Sequence, residues 1–264
     1  MAELAADAPQ ILIIAGLDPS GGAGLIADVR VAERHGARAV GVVTALTEQS
    51  TLGMRAVNPV PPAVVAEQLG ALLSDVEVAA VKIGMLGSVE MAEVVAEALA
   101  LTAAPIVWDP VAAATVGVGV LSRDELGGAA GVLGPSCALV TPNADEASAI
   151  TGLGPIGSLG DAVGVASILR DQRQVEAVLV KGGHWGGDGD AVDVLVAPAG
   201  VVELRGPRVV GAPVHGTGCA LATAIACELA RGVALADACR AAKRFVAARI
   251  AAPVRPGRGR GAIV

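Results

Sequence analysis

The chain has 264 residues, of which 53% are hydrophobic, 17% are charged and 1% are aromatic. Its 26 acidic and 19 basic residues give a net charge of -7, which argues against nucleic acid as a partner because phosphate backbones attract basic surfaces. Two uncharged stretches, 126–144 and 209–227, are interrupted by glycine, proline and polar residues, so neither predicts a membrane span.

Short apolar runs alternate with amphipathic stretches along the chain. Strands are predicted at 11–15, 39–43, 55–60, 78–83, 105–108, 137–140, 176–180, 191–196 and 201–206. Helices are predicted at 22–35, from Pro61-Pro62 onward, at 88–100, after Asn143, near 159–171, at 217–230 and at 235–251. This alternation predicts an α/β fold, with a central, mostly parallel sheet flanked by helices on both faces. We expect one domain over 1–264, with flexible ends at 1–9 and 252–264.

The cysteines and the start of the chain indicate the compartment. The four cysteines, Cys137, Cys219, Cys227 and Cys239, form no C-x-x-C pair and show no metal-ligand spacing. They are typical of reduced, mostly buried thiols in a cytoplasmic protein. A charged segment followed by a long apolar run is missing from the N-terminus, so no signal peptide is predicted.

Unusual polar residues follow several of the predicted strands. They are Asp18, Gln49, Lys82, Asp109, Asn143, Lys181 and the segment 215–219. In open α/β sheets, ligands bind beyond the carboxyl ends of the strands. The positions of these residues therefore predict one ligand site at that edge.

The segment His215-Gly216-Thr217-Gly218-Cys219 opens an apolar helix. A glycine turn leaves backbone N–H groups unhindered, and the helix N-terminus adds partial positive charge. Together they would form an anion hole for a transferring phosphoryl group, although an ordinary tight turn before a helix has the same pattern. Cys219 lies in the first helical turn, where a thiol pKa tends to fall. It would either help to deprotonate an acceptor hydroxyl or only line the site.

Other polar residues fit a nucleotide site without a familiar nucleotide motif. Asp109, Asn143 and Glu146 offer oxygen ligands of the kind that Mg²⁺ uses together with nucleotide phosphates, while Asn143 and Glu146 also form a plain capping box. Lys181 would meet a phosphate or remain a solvated lysine. The glycine loop 16–24 lacks the dinucleotide spacing, and no P-loop or protein-kinase signature occurs.

Seven segments taken together resemble one family. They are IAGLDPSGGAG (14–24), VTALTEQST (43–51), SDVEVAAVKIGML (74–86), WDPV (108–111), VTPNADEA (140–147), VLVKGGH (178–184) and HGTGCALATAIA (215–226). This ordered set is similar to the ribokinase superfamily, and more closely to its hydroxymethylpyrimidine/phosphomethylpyrimidine kinases of thiamine synthesis. The resemblance implies a ribokinase-like fold that uses ATP and Mg²⁺, and two successive phosphorylations at one site.

The resemblance also implies roles for individual residues. Gln49 would hydrogen-bond the pyrimidine, in a pocket lined by Gly16, Asp18, Ala23, Thr47 and Met85. Asp109, Glu146 and Lys181 would serve the nucleotide phosphates and Mg²⁺, together with Asn143. Gly216, Thr217, Gly218 and Cys219 would form the anion hole. The family suggests a homodimer.

The sequence departs from the family at three places. Leu17 stands where a small hydroxyl residue is common, and the tail 255–260 is short and rich in arginine and glycine. The run 112–119 replaces a polar loop that usually contains lysine, which puts the second phosphorylation in doubt because its acceptor is itself an anion. Two alternatives stay open: a pyridoxine-type or pyridoxal kinase on the same scaffold, and a non-catalytic ligand-binding homologue.

Overall fold

The computed structural model describes residues 5, 7–100, 102–112, 119–183, 189–209, 211 and 213–264. Its strands are β1 (Gln10–Leu17), β2 (Arg38–Ser50), β3 (Gly53–Pro59), β4 (Ala80–Ile83), β5 (Ile106–Trp108), β6 (Leu139–Val140), β7 (Val178–Val180), β8 (Ala191–Ala197), β9 (Gly200–Gly206), β10 (Val214–His215) and β11 (Gly261–Ala262). Its helices are α1 (Gly24–Arg34), α2 (Pro62–Asp75), α3 (Val89–Leu99), α4 (Arg123–Leu133), α5 (Ala144–Thr151), α6 (Leu159–Arg173), α7 (Thr217–Leu229) and α8 (Leu235–Ala251).

Within the described ranges, nine strands form one sheet in the order β3-β2-β1-β4-β5-β6-β7-β8-β9. The pairs from β2 to β7 are parallel, whereas β3 at one edge and β8 and β9 at the other run antiparallel to their neighbours. The predicted mostly parallel α/β sheet is confirmed. The order of strands reverses between β1 and β4, and ligands of open α/β sheets bind at such a switch point.

Strand β1 shows how the sheet separates two apolar layers. Its residues Leu12 and Ile14 face a core with Val95 and Leu126 from α3 and α4. Ile11 and Ile13 face the opposite core, formed with α1, α7 and α8. Because successive side chains of a strand point to opposite faces, the continuous apolar run of β1 fits a strand that is covered on both sides.

Helix α4 was not among the predicted elements. Its glycines, Gly127, Gly128 and Gly131, weaken helix propensity. At its start, Ser122 accepts a hydrogen bond from the Glu125 N–H, and the Glu125 side chain accepts one from the Ser122 N–H. This capping box was the signal in the sequence for the missed helix.

The C-terminal segment packs against the site end of the sheet. Strand β11 pairs with β10, and Ile263 and Val264 are buried in the core. The Arg260 N–H donates to the Thr51 carbonyl at 3.0 Å. The expectation of a flexible segment over 252–264 is therefore wrong for its last residues. Of the other expected flexible end, 1–9, residues 1–4 and 6 lie outside the described part of the chain.

Candidate active site

A cavity of about 340 Å³ lies beyond the carboxyl ends of the parallel strands. It is lined by every residue for which the sequence predicts a role in the site: Gly16, Asp18, Ala23, Thr47, Gln49, Met85, Asp109, Asn143, Glu146, Lys181, Gly216, Thr217, Gly218 and Cys219. These residues are spread between positions 16 and 219 of the chain, and the parallel sheet brings them together because its strand ends share one edge.

The glycine turn at the start of α7 has the geometry that glycine allows. Gly216 is the N-cap of α7 with φ 84°, and a Cβ there would collide with the Gly22 carbonyl oxygen. A Cβ on Gly218 would lie 3.1 Å from Lys181 Nζ and 3.4 Å from Asp109 Oδ2. Among the described side chains none caps this helix, so its first N–H groups face the cavity with the partial positive charge of a helix N-terminus.

Cys219 differs from the expectation in its pKa. Burial raises the pKa of this thiol to about 12, and the nearby carboxylates of Asp109 and Asp28 add to the rise, although the Lys82 ammonium opposes it. The predicted lowering by the helix N-terminus is wrong because desolvation of the thiolate outweighs it. In this form Cys219 is a neutral thiol at physiological pH.

A lysine and two carboxylates meet at the ends of β5, β6 and β7. Lys181 Nζ is 2.6 Å from Asp109 Oδ1 and 3.7 Å from Glu146 Oε2. The Glu146 carboxylate also accepts from the Asn143 N–H at 2.7 Å, and Asn143 Oδ1 accepts from the Glu146 N–H at 2.9 Å. The capping box predicted for α5 therefore exists, and it orients Glu146 toward Lys181. We name Lys181, Asp109 and Glu146 the phosphate-end triad.

The two carboxylates of this triad have pKa values shifted in opposite directions. Burial favours the neutral form of Asp109, but Lys181 and Lys82 outweigh it and hold its pKa below the ordinary value. Burial and the neighbouring Asp109 charge raise the pKa of Glu146, against the effect of Lys181. Two buried carboxylates thus share one ammonium group, and a divalent cation would relieve their repulsion. Mg²⁺ is commonly held by one or two carboxylates completed by phosphate oxygens, so this donor set fits the ion.

The other end of the cavity presents polar groups suited to a small ring. Thr47 and Gln49 lie on the part of β2 that extends past β1 into the hairpin with β3. The Thr47 hydroxyl is 2.9 Å from the Leu17 carbonyl, and the Gln49 side chain lies between Thr47 and His215. Across the cavity, the Met85 side chain packs against Gly16. A Cβ at position 16 would lie only 2.9 Å from Met85 Sδ. Glycine at position 16 therefore leaves room for the methionine.

Two residues of the cavity wall were given no role by the sequence analysis. His215 is 3.0 Å from Asp18 Oδ2. Lys82 is fully buried and is 2.6 Å from Asp28 Oδ2, while Thr223 donates to the other oxygen of Asp28 at 2.8 Å. Burial by itself would lower the pKa of Lys82, but Asp28 raises it above its ordinary value. The sequence did contain a signal for this pair: Asp28 is a charged residue within the apolar face of α1, and a charge buried there needs a partner of opposite charge.

A second cavity of about 260 Å³ adjoins the first beyond the glycine turn. The two share Lys181, Gly183, Thr217 and Gly218. Its remaining wall is mostly apolar, with Leu221 on α7 and Val246 and Ile250 on α8. An elongated ligand therefore has room to extend from the Gln49 end of the first cavity, past the phosphate-end triad, into this second cavity, which we name the apolar recess.

The comparisons with known proteins agree with this geometry. Residues 18–264 match the family model for phosphomethylpyrimidine kinase. The chain is 38% identical over 255 residues to the hydroxymethylpyrimidine/phosphomethylpyrimidine kinase of Streptomyces coelicolor, covering 97% of this chain and 93% of the relative. It is 39% identical over 254 residues to the enzyme of that name from Rhizobium meliloti, covering 96% and 95%. This chain belongs to the phosphomethylpyrimidine kinase family.

Solved structures place the family fold beside that of pyridoxal kinases. Bacillus subtilis pyridoxal kinase in an ADP complex has a TM-score of 0.88 at 26% identity, with 97% of each chain covered. Phosphomethylpyrimidine kinase from Clostridium difficile has a TM-score of 0.78 at 32% identity, with 92% of this chain and 100% of that chain covered. The predicted ribokinase-like fold and the predicted family are therefore confirmed.

One departure from the family lies mostly outside the described residues. Of the run 112–119, residues 113–118 are not described. The ends of this run are close together, since the Ala112 carbonyl accepts from the Val120 N–H at 2.8 Å.

Among the described residues, no helix is long and apolar enough to cross a bilayer, and no group of three or more His, Cys, Asp or Glu side chains forms a metal cluster.

Proposed function

We propose that this protein is a kinase that transfers the γ-phosphoryl group of ATP to 4-amino-5-hydroxymethyl-2-methylpyrimidine, and then to the resulting monophosphate, in thiamine biosynthesis. The observation that carries the proposal is a single cavity with the Gln49 amide at one end and the phosphate-end triad with the glycine turn at the other. Its relatives of 38% and 39% identity are named as kinases of both hydroxymethylpyrimidine and phosphomethylpyrimidine.

Each end of the cavity has a defined task in this proposal. The aminopyrimidine lies against Gln49, in the pocket of Gly16, Asp18, Ala23, Thr47 and Met85. Its hydroxymethyl group points toward Cys219. The nucleotide occupies the apolar recess, with its phosphates beside Lys181 and the first N–H groups of α7. These groups stabilise the charge on the transferring phosphoryl group, which is the main part of catalysis in phosphoryl transfer.

Asp109 and Glu146 would hold Mg²⁺, with Asn143 adjoining them through the capping box. When bound, this ion neutralises charge on the nucleotide phosphates. Because phosphoryl transfer passes through a loose transition state, a strong base at the acceptor is not required. Cys219, a thiol of raised pKa, would therefore line and orient the acceptor hydroxyl rather than remove its proton.

Product analysis with ATP, Mg²⁺ and the aminopyrimidine tests this function. The expected products are ADP, the pyrimidine monophosphate and then the diphosphate, separated by ion-exchange chromatography. Accumulation of monophosphate alone would show that the altered run 112–119 has cost the second step. Absence of both pyrimidine products, with substrate and ATP unchanged, would refute the proposal.

Pyridoxal kinase activity is the second candidate, because structural neighbours include pyridoxal kinases. Staphylococcus aureus pyridoxal kinase, in complex with AMP-PCP and pyridoxal, has a TM-score of 0.87 at 30% identity over 97% of this chain and 93% of that chain. Against it stands the polar amide of Gln49, which suits the amino group and ring nitrogen of the pyrimidine. The same assay with pyridoxal in place of the pyrimidine decides between the two.

We further propose a cytoplasmic homodimer. The described cysteines are all free thiols, as is usual in reducing compartments. The hairpin of β2 and β3 at one sheet edge exposes Leu46 by 50% and Leu52 by 71%, and such exposed apolar residues at an edge suit contact with a second copy. Light scattering after size-exclusion chromatography measures the mass, and a single-chain mass of 25.9 kDa would refute the dimer.

A further inference from the structure

His215 is held in one place by the backbone on both sides of it. It is the last residue of β10, which pairs with β11, so that His215 stands opposite Ala262. The next residue, Gly216, has a positive φ that fixes the turn into α7. A Cβ on Gly22 would lie 2.8 Å from His215 Cδ2, so the glycine admits the imidazole ring into the cavity wall.

The Nε2 atom of this ring faces two partners. It lies 3.0 Å from Asp18 Oδ2 and 2.9 Å from the nearer end of the Gln49 amide. Asp18 is buried, and its carboxylate also accepts from the N–H groups of Ser20 at 2.8 Å and Ala23 at 3.1 Å. Burial alone would raise the pKa of Asp18, but hydrogen bonds from His215 and Ser20 outweigh it and lower the pKa. The Asp18 carboxylate is therefore an anion, which can only accept.

The charge of Asp18 assigns the protons around it. Because Asp18 accepts, His215 Nε2 must carry the hydrogen, and the end of Gln49 that faces Nε2 must be the carbonyl oxygen. The opposite end of the amide, 3.2 Å from Thr47 Oγ1, is then the NH₂ group, so this assignment exchanges the amide oxygen and nitrogen relative to their placement in the structure. Thr47 agrees with this orientation, since its single hydroxyl hydrogen goes to the Leu17 carbonyl at 2.9 Å, which leaves its oxygen free to accept from Gln49.

We propose that His215 is a specificity-determining positioning residue, which fixes the orientation of the Gln49 amide and so selects a ring with an amino group beside a ring nitrogen. The inference rests on the proposed function, because it takes Gln49 as the group that reads the ring. With Asp18 and His215 in place, Gln49 presents one carbonyl lone pair and one N–H to the ligand. The amino group of an aminopyrimidine donates to the first, and its ring nitrogen accepts from the second.

An oxo ring presents the inverse pattern. In the 4-oxo analogue of the pyrimidine, the ring N–H donates and the carbonyl oxygen accepts. Gln49 would have to turn over to match it, and its NH₂ group would then face the N–H of His215. Two donors left facing each other cost affinity, because neither finds an acceptor. The structure thus predicts that the protein discriminates against the oxo ring. This discrimination depends on His215, although His215 does not itself hydrogen-bond the pyrimidine.

The test compares kcat/KM for the aminopyrimidine and its 4-oxo analogue in the wild type, His215→Phe and His215→Gln. Phenylalanine keeps a ring beside Gly22 but removes the N–H, so the ratio of the two kcat/KM values should fall by about tenfold or more. Glutamine carries an N–H at a similar distance from the backbone and should restore most of the ratio. The KM for ATP should change by less than about threefold in both variants, because His215 lies at the ring end of the cavity.

A matched control is His35→Phe, because His35 contacts Glu228 and Phe245 and does not line the cavity. This variant should keep the wild-type ratio. A wild-type ratio in His215→Phe, with activity on the aminopyrimidine intact, would overturn the inference and leave the proposed function standing. A wild type that phosphorylates neither ring would overturn both.

Discussion

Two lysines lie beneath the glycine turn of α7, and each is 2.6 Å from an aspartate oxygen, yet their surroundings differ. Lys82 and Asp28 are both fully buried, and Thr223 completes the hydrogen bonds of Asp28. In the phosphate-end triad the Lys181 side chain is 18% exposed to the cavity and is shared by two carboxylates. Both lysines line the cavity, but the side chains of the first pair are fully buried, whereas Lys181 in the second is exposed enough to exchange its partners for phosphate and metal.

The contrast indicates that the same ion-pair chemistry serves structure at one position and function at the other. A fully buried pair resists change because either charge alone would be costly in the interior. A pair that is partly exposed to a cavity is available to a ligand. Four predictions test this comparison, beginning with the variant of largest expected effect.

Lys82→Met should lower the free energy of unfolding by about 3–5 kcal/mol, because the fully buried Asp28 carboxyl would lose its cation and would either stay charged or have to take up a proton. Guanidinium denaturation measures this change. The double variant Lys82→Met with Asp28→Asn should recover most of the loss, since it removes both charges together. If the single variant is as stable as the wild type, Lys82 and Asp28 are not a structural ion pair.

Lys181→Met should lower kcat/KM for ATP by about 10²–10³-fold, because it removes a cation aimed at the charge that develops on the phosphates. Its unfolding free energy should fall less than that of Lys82→Met, since the Lys181 side chain is partly exposed to the cavity, where water can reach the carboxylates left behind. Steady-state release of ADP and guanidinium denaturation give the two quantities. A stability loss equal to that of Lys82→Met, with near-normal turnover, would reverse the comparison.

Gly218→Ala should lower kcat/KM for ATP by about tenfold, since the added methyl group would stand 3.1 Å from Lys181 Nζ and displace a group that must be placed to within about half an ångström. The matched control is Gly164→Ala in α6, where a Cβ meets nothing within 4 Å. That change should leave activity alone and stabilise the helix by about 0.5–1 kcal/mol. Equal activity of both variants would show that Lys181 tolerates displacement.

Cys219 lies close enough to both lysines to report their charge. With its pKa raised to about 12, it holds a proton at pH 8, and the thiolate that reacts with iodoacetamide should appear only as the pH rises above about 10. Lys82→Met should slow the labelling further, because Lys82 lowers this pKa. Mass spectrometry of the labelled peptide measures the rate. Fast labelling of the folded wild type at pH 7 would contradict a neutral thiol of raised pKa.

The sequence was informative where local signals are strong. The alternation of apolar strands with amphipathic helices predicted the sheet and its two helical layers, because burial on both faces of a parallel sheet requires that pattern. The capping box of Asn143 and Glu146 was visible from its spacing alone. Helix α4 was missed since its glycines obscured a capping box of the same kind at Ser122 and Glu125.

Contacts between distant parts of the chain were not visible in the same way. The pairing of Lys82 with Asp28 spans 54 positions, and that of His215 with Asp18 spans 197. The raised pKa of Cys219 depends on burial, which a local helix-terminus rule does not include. The ordered end of the chain also depends on a distant partner, because β11 pairs with β10.

The sequence by itself determined the α/β fold class, the family and the membership of the candidate site, because strand ends and glycine turns are local features that one ordered set of motifs displays. Only the tertiary structure decided which lysine is fully buried with its aspartate and which one is partly exposed to the cavity. It also decided the protonation of Cys219 and the direction in which Gln49 points. These properties depend on desolvation and on hydrogen-bond partners supplied by other segments, and neither exists until the chain has folded.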